Sequence, residues 1–410
     1  MVAAVGNGRT NPDVVDDLMA PSTMQDPHSY FAWLRETDPV HWDAGVRAWV
    51  VTSYDGVATG LRDPRLSSRR ATSYLGGADP DGQEDAFAVL SEWMVFKDPP
   101  DHTRLRKLIA KAFALRSIST LRPRVEALVD ELLDDVAAAA SPFDYMTVVA
   151  GPLPALVIAE MLGIPRDDRL SFQRWSEELA SLVLGSPGAG PRLDRARAGL
   201  TELIAYFETL VERYRRNPGE NLISHLIHTT DSGEALTREE VLGTCSLVLF
   251  AGHETTSDWL GNATLALIEH PEQRAAMVAA GTLDRCGVEE FLRYEGPSKI
   301  QSRTATEDIE MGGVQIKGGQ RVLLAMASGN RDAARFPDPD RLDLTRTDTS
   351  HLGFGYGLHY CLGAALSRLE AEVLLPRQFT RFPDLRLAGD DLHWKPRVIT
   401  RGLSELPLSR

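Results

Sequence analysis

The chain has 410 residues, with 44 Lys and Arg against 58 Asp and Glu, giving a formal net charge of -14. That acidity excludes broad nucleic-acid binding, which needs a basic face. A hydrophobic share of 43% is ordinary for a globular protein of this length, which can bury a sizeable core. Cys245, Cys286 and Cys361 form no CxxC pair, so neither a zinc ribbon nor a disulfide framework is expected, and the thiols fit a reducing compartment.

In chain order, Met1 to Pro12 shows no basic stretch followed by an apolar run, so no secretory signal is expected. Val40 to Thr52 carries aromatic and β-branched residues around Asp43-Ala44-Gly45 and predicts a hairpin. Ser68 to Gln83, rich in Gly, Ser and Asp, reads as a mobile surface loop. Asp101 to Phe113 follows Pro99-Pro100, a good helix start. Leu121 to Ala140, Leu203 to Asn217 and Glu239 to His270 repeat apolar residues at helical spacing. The last of these, roughly 48 Å long at 1.5 Å per residue, must cross the whole molecule. Ile309 to Leu324 alternates around two Gly-Gly pairs and predicts a small meander. A further helix runs from near Cys361 to about Phe379, and the tail from Leu385 to Leu408 holds short strand-like pieces.

The most apolar stretches, Val148 to Ile164 and Cys245 to Gly252, are broken by Pro152, Pro154, Glu160 and His253. Neither reaches the roughly 18 apolar residues of a membrane span. Length alone favours two or three domains. Without repeats or a long linker, the reading is instead one large domain over residues 1–410, mainly α with small β-sheets, in a cytoplasmic monomer that binds neither membrane nor nucleic acid.

The segment His351 to Gly363 reads HLGFGYGLHYCLG, in which Phe354, Gly355, Gly357, His359, Cys361 and Gly363 form FGxGxHxCxG. From average residue usage this pattern arises by chance in roughly one chain in a million. Gly355, Gly357 and Gly363 permit positive φ and close backbone approach to the sulfur. Cys361 precedes an amphipathic helix whose positive end favours a sulfur anion and lowers its pKa. A haem iron held by such a thiolate receives extra electron density, favouring O–O cleavage over reversible oxygen binding. The alternative is a buried free cysteine beside a turn.

The long predicted helix contains Ala251-Gly252-His253-Glu254-Thr255-Thr256. Gly, an acid and two β-branched alcohols are poor helix formers, and a Thr hydroxyl bonding back to a carbonyl can bend a helix. His253-Glu254 begins a zinc-protease HExxH, but the second His position is Ser257, which excludes that chemistry.

With these two motifs the chain resembles the cytochrome P-450 superfamily, of soluble bacterial type, over nearly its whole length. The resemblance implies the cytochrome P-450 fold with its long central helix crossing the haem, and haem b (iron protoporphyrin IX) as cofactor. Cys361 would be the iron ligand, with Phe354 packed beside the sulfur and Gly355 and Gly363 in the binding loop. Thr255 would be the alcohol and Glu254 the acid of the oxygen-activation motif, a proton pair beside a local helix opening with room for O2 and a water. Ala251 and Gly252 would be the small residues facing the haem. Propionate partners would be His102 and Arg106 from the segment Asp98 to Arg106, Arg303, and His359. Glu290 and Arg293, on one helix face, would form a buried supporting pair joined by Arg341, with Leu342 where the family has an aromatic residue.

No GxGxxG is present, so electrons would come from a ferredoxin or flavodoxin and its reductase, with Arg104, Lys107, Lys111 and Arg368 as a local basic patch. The expected reaction inserts one atom of O2 into a small organic substrate such as a secondary metabolite. The pocket walls would come from Ser68 to Met94, from Val248 and Ala251, from Pro297 to Gln301 and from Ile399 to Arg401, with Lys299 and Gln301 as polar handles. Two alternatives remain at this point: the same haem used for oxidative coupling, desaturation or carbon–carbon cleavage, and a non-catalytic haem sensor.

Overall fold

The structure, a computed structural model, describes residues 17–69, 85–110, 120–184, 190–231, 233–389 and 391–410. Most of the predicted loop Ser68 to Gln83, together with Lys111 and the end of the helix predicted to reach Phe113, lies outside the described residues.

Alternating β-branched and aromatic residues put Val40–Asp43 (β1) and Ala48–Val51 (β2) in an antiparallel hairpin, Val40 opposite Val51 and Asp43 opposite Ala48. The turn runs on to Arg47, at a φ of 52°, because the Asp43 carboxylate accepts from the Val46 amide at 3.0 Å. With Leu66–Ser67 (β3), Ile300–Ala305 (β4) and Arg321–Ala325 (β5) the hairpin forms one sheet in the order β1-β2-β5-β4-β3. This corrects the predicted meander. Ile309–Met311 and Val314–Ile316 do form a hairpin, but β5 leaves it to lie parallel to β2 and antiparallel to β4. Val322, Leu324 and Ala325 are almost fully buried there, which outweighs local pairing.

The helices that shape the site are Asp101–Ala110 (α1), Arg122–Ala138 (α2), Pro152–Leu162 (α3), Arg169–Leu184 (α4), Gly190–Arg216 (α5), Arg238–Glu269 (α6), Arg285–Glu295 (α7) and Ala364–Arg381 (α8). Helix α5 begins well before the predicted Leu203. Helix α6 starts at a reciprocal cap: the Glu240 amide donates to the Thr237 hydroxyl at 3.2 Å, and the Thr237 amide to the Glu240 carboxylate at 2.9 Å. Its 32 residues are buried on nearly every side, as for a helix through the middle of a large core. Helices α3, α4, α7 and α8 pack against it. Among the described residues no helix is long and apolar enough to cross a membrane.

Candidate active site between the cysteine loop and the central helix

A cavity of about 250 Å³ lies between α6 and the loop before α8, and its lining includes Cys361, Thr255, Arg106 and Arg303. On the loop side the Cys361 amide donates to the Phe354 carbonyl at 2.8 Å, which folds the chain into a tight arch under the sulfur. Gly355 and Gly357 take φ values of 73° and 72°, a conformation that favours glycine. Gly363 does not: its φ is -82°, it caps α8, and an added Cβ would lie 4.0 Å from the Cys361 sulfur, so the expected positive φ is corrected there. Burial pushes the Cys361 thiol up, although the Gly363 amide, Arg368, Arg106 and the Ala364 amide all pull it down. The helix end pulls in the expected direction through the Gly363 and Ala364 amides, and burial outweighs it. Phe354 packs beside the loop, 9% exposed, with the Arg368 guanidinium 4.6 Å from its ring centroid.

On the facing wall Val248, Ala251, Gly252, Thr255 and Thr256 line the cavity. The helix is unbroken through this segment, so the expected local opening is not seen. Thr255 donates its hydroxyl to the Ala251 carbonyl at 2.7 Å, inside the helix. Gly252 lines the cavity, yet an added Cβ would lie 2.5 Å from Cδ1 of Ile158 on α3, so its smallness also serves helix packing. Glu254 does not join Thr255 at the cavity. Its buried carboxylate accepts from Lys395 at 2.8 Å and from Arg397, outside the lining. Burial pushes that carboxyl up, but Lys395, Arg397 and His253 hold it below the usual range.

A cationic rim closes one end. Arg106 and His359 line the cavity, and the His102 ring packs against His359 at a 50° tilt with ring centroids 4.2 Å apart. His102 is fully buried, and neither of its ring nitrogens has a hydrogen-bond partner. Burial and nearby Arg106 lower its pKa. Arg303, from β4, is 3% exposed and donates to the Ser302 carbonyl at 2.9 Å. Two guanidinium groups and the His359 imidazole line one cavity, with His102 packed against His359, a set that suits a ligand with two carboxylates.

Behind the loop, Arg293 donates to both oxygens of Glu290 at 2.7 and 2.8 Å, with both side chains almost fully buried. The third member is Arg346, whose Nε lies 3.1 Å from Glu290, and not Arg341. Arg341 contributes only its carbonyl to Arg293, while its own side chain is 66% exposed beside Asp343. Of the expected basic patch, two members are committed elsewhere and Lys111 lies outside the described residues. Arg104 pairs with Glu240, and Arg368 with Glu289 at 2.7 Å, so both charges are used within the fold.

Three features escaped the sequence. Glu289, next to the predicted Glu290, takes His351 at 2.7 Å as well as Arg368 and so anchors the loop at both ends. Glu370 on α8 lines the cavity with one carboxyl oxygen unpartnered, and burial raises its pKa well above the ordinary range. Its signal was an acid on the apolar stripe of Leu366, Val373 and Leu374. Finally, Lys299 points away from the cavity and donates to the Arg397 carbonyl at 2.7 Å, whereas Gln301 lines it. From the tail, Arg401 is engaged with Glu295 at 2.8 Å rather than with the cavity.

The family model for cytochrome P-450 matches residues 77–279 and 283–389. The chain is similar to the cytochrome P-450 monooxygenase PikC of Streptomyces venezuelae, with 39% identity over 409 residues covering 97% of this chain and 94% of that one. It is likewise 39% identical to the 6-deoxyerythronolide B hydroxylase of Saccharopolyspora erythraea over 96% of this chain and 98% of that one. Among solved structures, P-450 BioI in complex with an acyl carrier protein ligated to hexadec-9Z-enoic acid matches with a TM-score of 0.86 and 34% identity, over 95% of this chain and 98% of that one. The chain therefore belongs to the cytochrome P-450 family. It is a haem-thiolate monooxygenase, an oxidoreductase that uses haem iron, O2, an organic substrate and electrons from a redox partner.

Proposed function

We propose that the chain acts as a single domain over residues 1–410, holds haem b through Cys361, and inserts one atom of O2 into a mainly apolar secondary metabolite. One observation carries this reading: a thiol and a helix-borne alcohol, Cys361 and Thr255, face the same cavity, which Arg106, Arg303 and His359 also line, with His102 packed against His359. The fit to haem rests on the buried His102 nitrogens that have no partner and on the cationic rim, which matches two propionates. When bound, the haem iron supplies oxygen activation, helped by electron density from the sulfur.

The protein's own part is to hold, orient and supply protons. Arg106, Arg303, His359 and His102 would take the propionates, while Gly355 supplies the positive φ of the loop and Gly363 caps α8 beside the sulfur. Thr255 holds a hydroxyl proton on the distal wall, with Glu254 as the acid behind it. Ile158, Leu247, Val248, Met94 and Val95 make the substrate wall apolar, with Thr244, Ser298 and Gln301 as polar contacts. That lining suits a hydrocarbon skeleton bearing a few hydroxyl or carbonyl groups, in keeping with a relative named as a 6-deoxyerythronolide B hydroxylase.

Electrons would come from a cytoplasmic ferredoxin or flavodoxin and its reductase. Tyr356, Leu358 and Tyr360, which are 39%, 52% and 38% exposed, form an apolar patch on the Cys361 loop that supports docking there. The test is the spectrum of the reduced protein with CO. The wild type gives the thiolate-type band and Cys361→Ala loses it; a histidine-type band in the wild type refutes the reading.

A further inference from the structure

We propose that Asp258 is a positioning residue for proton supply, sharing Lys395 with Glu254 and passing protons to it from outside the cavity. This rests on the monooxygenase reading above and deepens it. Glu254 and Asp258 stand at i and i+4 on α6 and so share one face. Lys395 Nζ donates to Glu254 Oε1 at 2.8 Å and to Asp258 Oδ1 at 2.7 Å. Arg397 donates to the same Glu254 oxygen and lies 3.9 Å from Asp258 Oδ2. The Asp258 side chain is fully buried, Glu254 is 7% exposed, and Lys395 and Arg397 are 22% and 16% exposed, so the two cations form the outer end of the cluster.

The segment carrying Lys395 is shaped around Asp258. The Lys395 amide donates to the Gly402 carbonyl at 2.8 Å, and the pairing of Trp394 with Leu403 continues this contact. A Cβ on Gly402 would run into Oδ1 and Cγ of Asp258.

Two buried carboxylates sharing one ammonium, with Arg397 bonded to Glu254 and only 3.9 Å from Asp258, repel each other and compete for its charge. Oδ2 of Asp258 has no hydrogen-bond partner, an unsatisfied acceptor if the group is ionised and the natural place for a proton if it is not. Burial, reinforced by the charge of Glu254, raises Asp258 against the pull of Lys395 and Arg397. The other charged or titratable groups facing the cluster are Glu177 from α4, His253 on α6, and Lys299 and Arg401 beyond Asp258.

The transfer balances without any outside reactant. Lys395 gives a proton to the Glu254 carboxylate and takes the proton of the Asp258 carboxyl. The O–H bond at Asp258 breaks, one at Glu254 forms, and the ammonium is restored. Neutral Glu254 no longer binds its two cations strongly and is released to turn toward Thr255. Solvent then reprotonates Asp258 past Lys395 and Arg397.

Infrared titration of the resting holoprotein tests this without turnover. The wild-type minus Asp258→Asn difference should contain a protonated-carboxyl C=O band that persists above the usual aspartate range; Glu370 contributes equally to both proteins and cancels. Lys395→Gln should move that band's midpoint upward, and Lys395→Arg should restore it. With a substrate that shifts the haem spin state and a surrogate ferredoxin, Asp258→Asn should lower product per NADPH several-fold, most strongly at high pH. A flat infrared difference, or an unchanged pH profile of coupling in both Asp258→Asn and Lys395→Gln, overturns the proposal. The reduced-CO spectrum separates this from failure of the underlying reading, because thiolate ligation should survive in every variant.

Discussion

Arg346 Nε lies 3.1 Å from Oε2 of Glu290, completing a buried triad with Arg293, five residues past the arginine that motif matching selects. Removing one member leaves a buried carboxylate undercompensated, which typically costs several kcal/mol. Arg346→Ala is therefore expected to lose about 2–3 kcal/mol in urea unfolding, discounted because Arg346 keeps 11% side-chain exposure. Arg341→Ala should stay within about 0.5 kcal/mol, as for an exposed surface change. Equal losses for the two would contradict the triad.

Glu289 makes stability depend on acid. Burial pushes its carboxyl up, but hydrogen bonds from His351 and Arg368 and their charges bring it down to about 2, against an ordinary 4.5. A depressed carboxyl stabilises the fold fully above the unfolded value, and that contribution fades as pH falls from about 4.5 toward about 2. The amount is on the order of 3 kcal/mol. Thermal melting of Glu289→Gln should show a lower melting point at pH 7 and a gap to wild type that narrows below pH 4.5. A gap constant with pH would count against the assigned charge role.

What could be read in the sequence was local. The Cys361 loop was legible because its glycines sit at fixed offsets within thirteen residues, and α6 because its apolar pattern lies along the chain. What could not be read depends on side chains meeting across the fold. Lys395 reaches Glu254 from 141 residues away, so the acid looked free to face the cavity when it is clamped outside it. Arg341 and Arg346 sit in the same loop, and sequence carries no record of which one turns inward. Strand β5 looked like the continuation of its hairpin, since local alternation does not reveal the better buried partner β2.

The His102 imidazole gives a test of haem retention. It is fully buried against His359 with both nitrogens unpartnered, a cost of about 1–3 kcal/mol per unsatisfied group unless a ligand satisfies it. His102→Phe should therefore leave the haem-free protein as stable as wild type or more so, while raising the rate of haem loss to an apo-globin acceptor about 10-fold or more. Arg106→Ala should speed haem loss too. Removing haem from the wild type should lower its melting point, because a ligand that binds only the folded state stabilises it by mass action. If His102→Phe destabilises the haem-free protein and leaves haem loss unchanged, the ring is a packing element only.

Gly402 and Asp258 can be tested as a pair. A methyl at Gly402 would collide with the Asp258 carboxyl and come within 2.6 Å of its Cβ, which cannot swing aside without moving α6. Overpacking of this kind costs about 1–3 kcal/mol. It should also push the carboxyl off Lys395, so Gly402→Ala alone is expected to destabilise the protein by that amount. In an Asp258→Ala background the methyl finds space, and the same glycine change should then cost little. The double-mutant cycle should return a coupling of at least about 1 kcal/mol, well above the 0.3–0.5 kcal/mol scatter for independent sites. Strict additivity would mean that the segment around Gly402 is not shaped by the acid, and the shared ammonium at Lys395 would lose its structural basis.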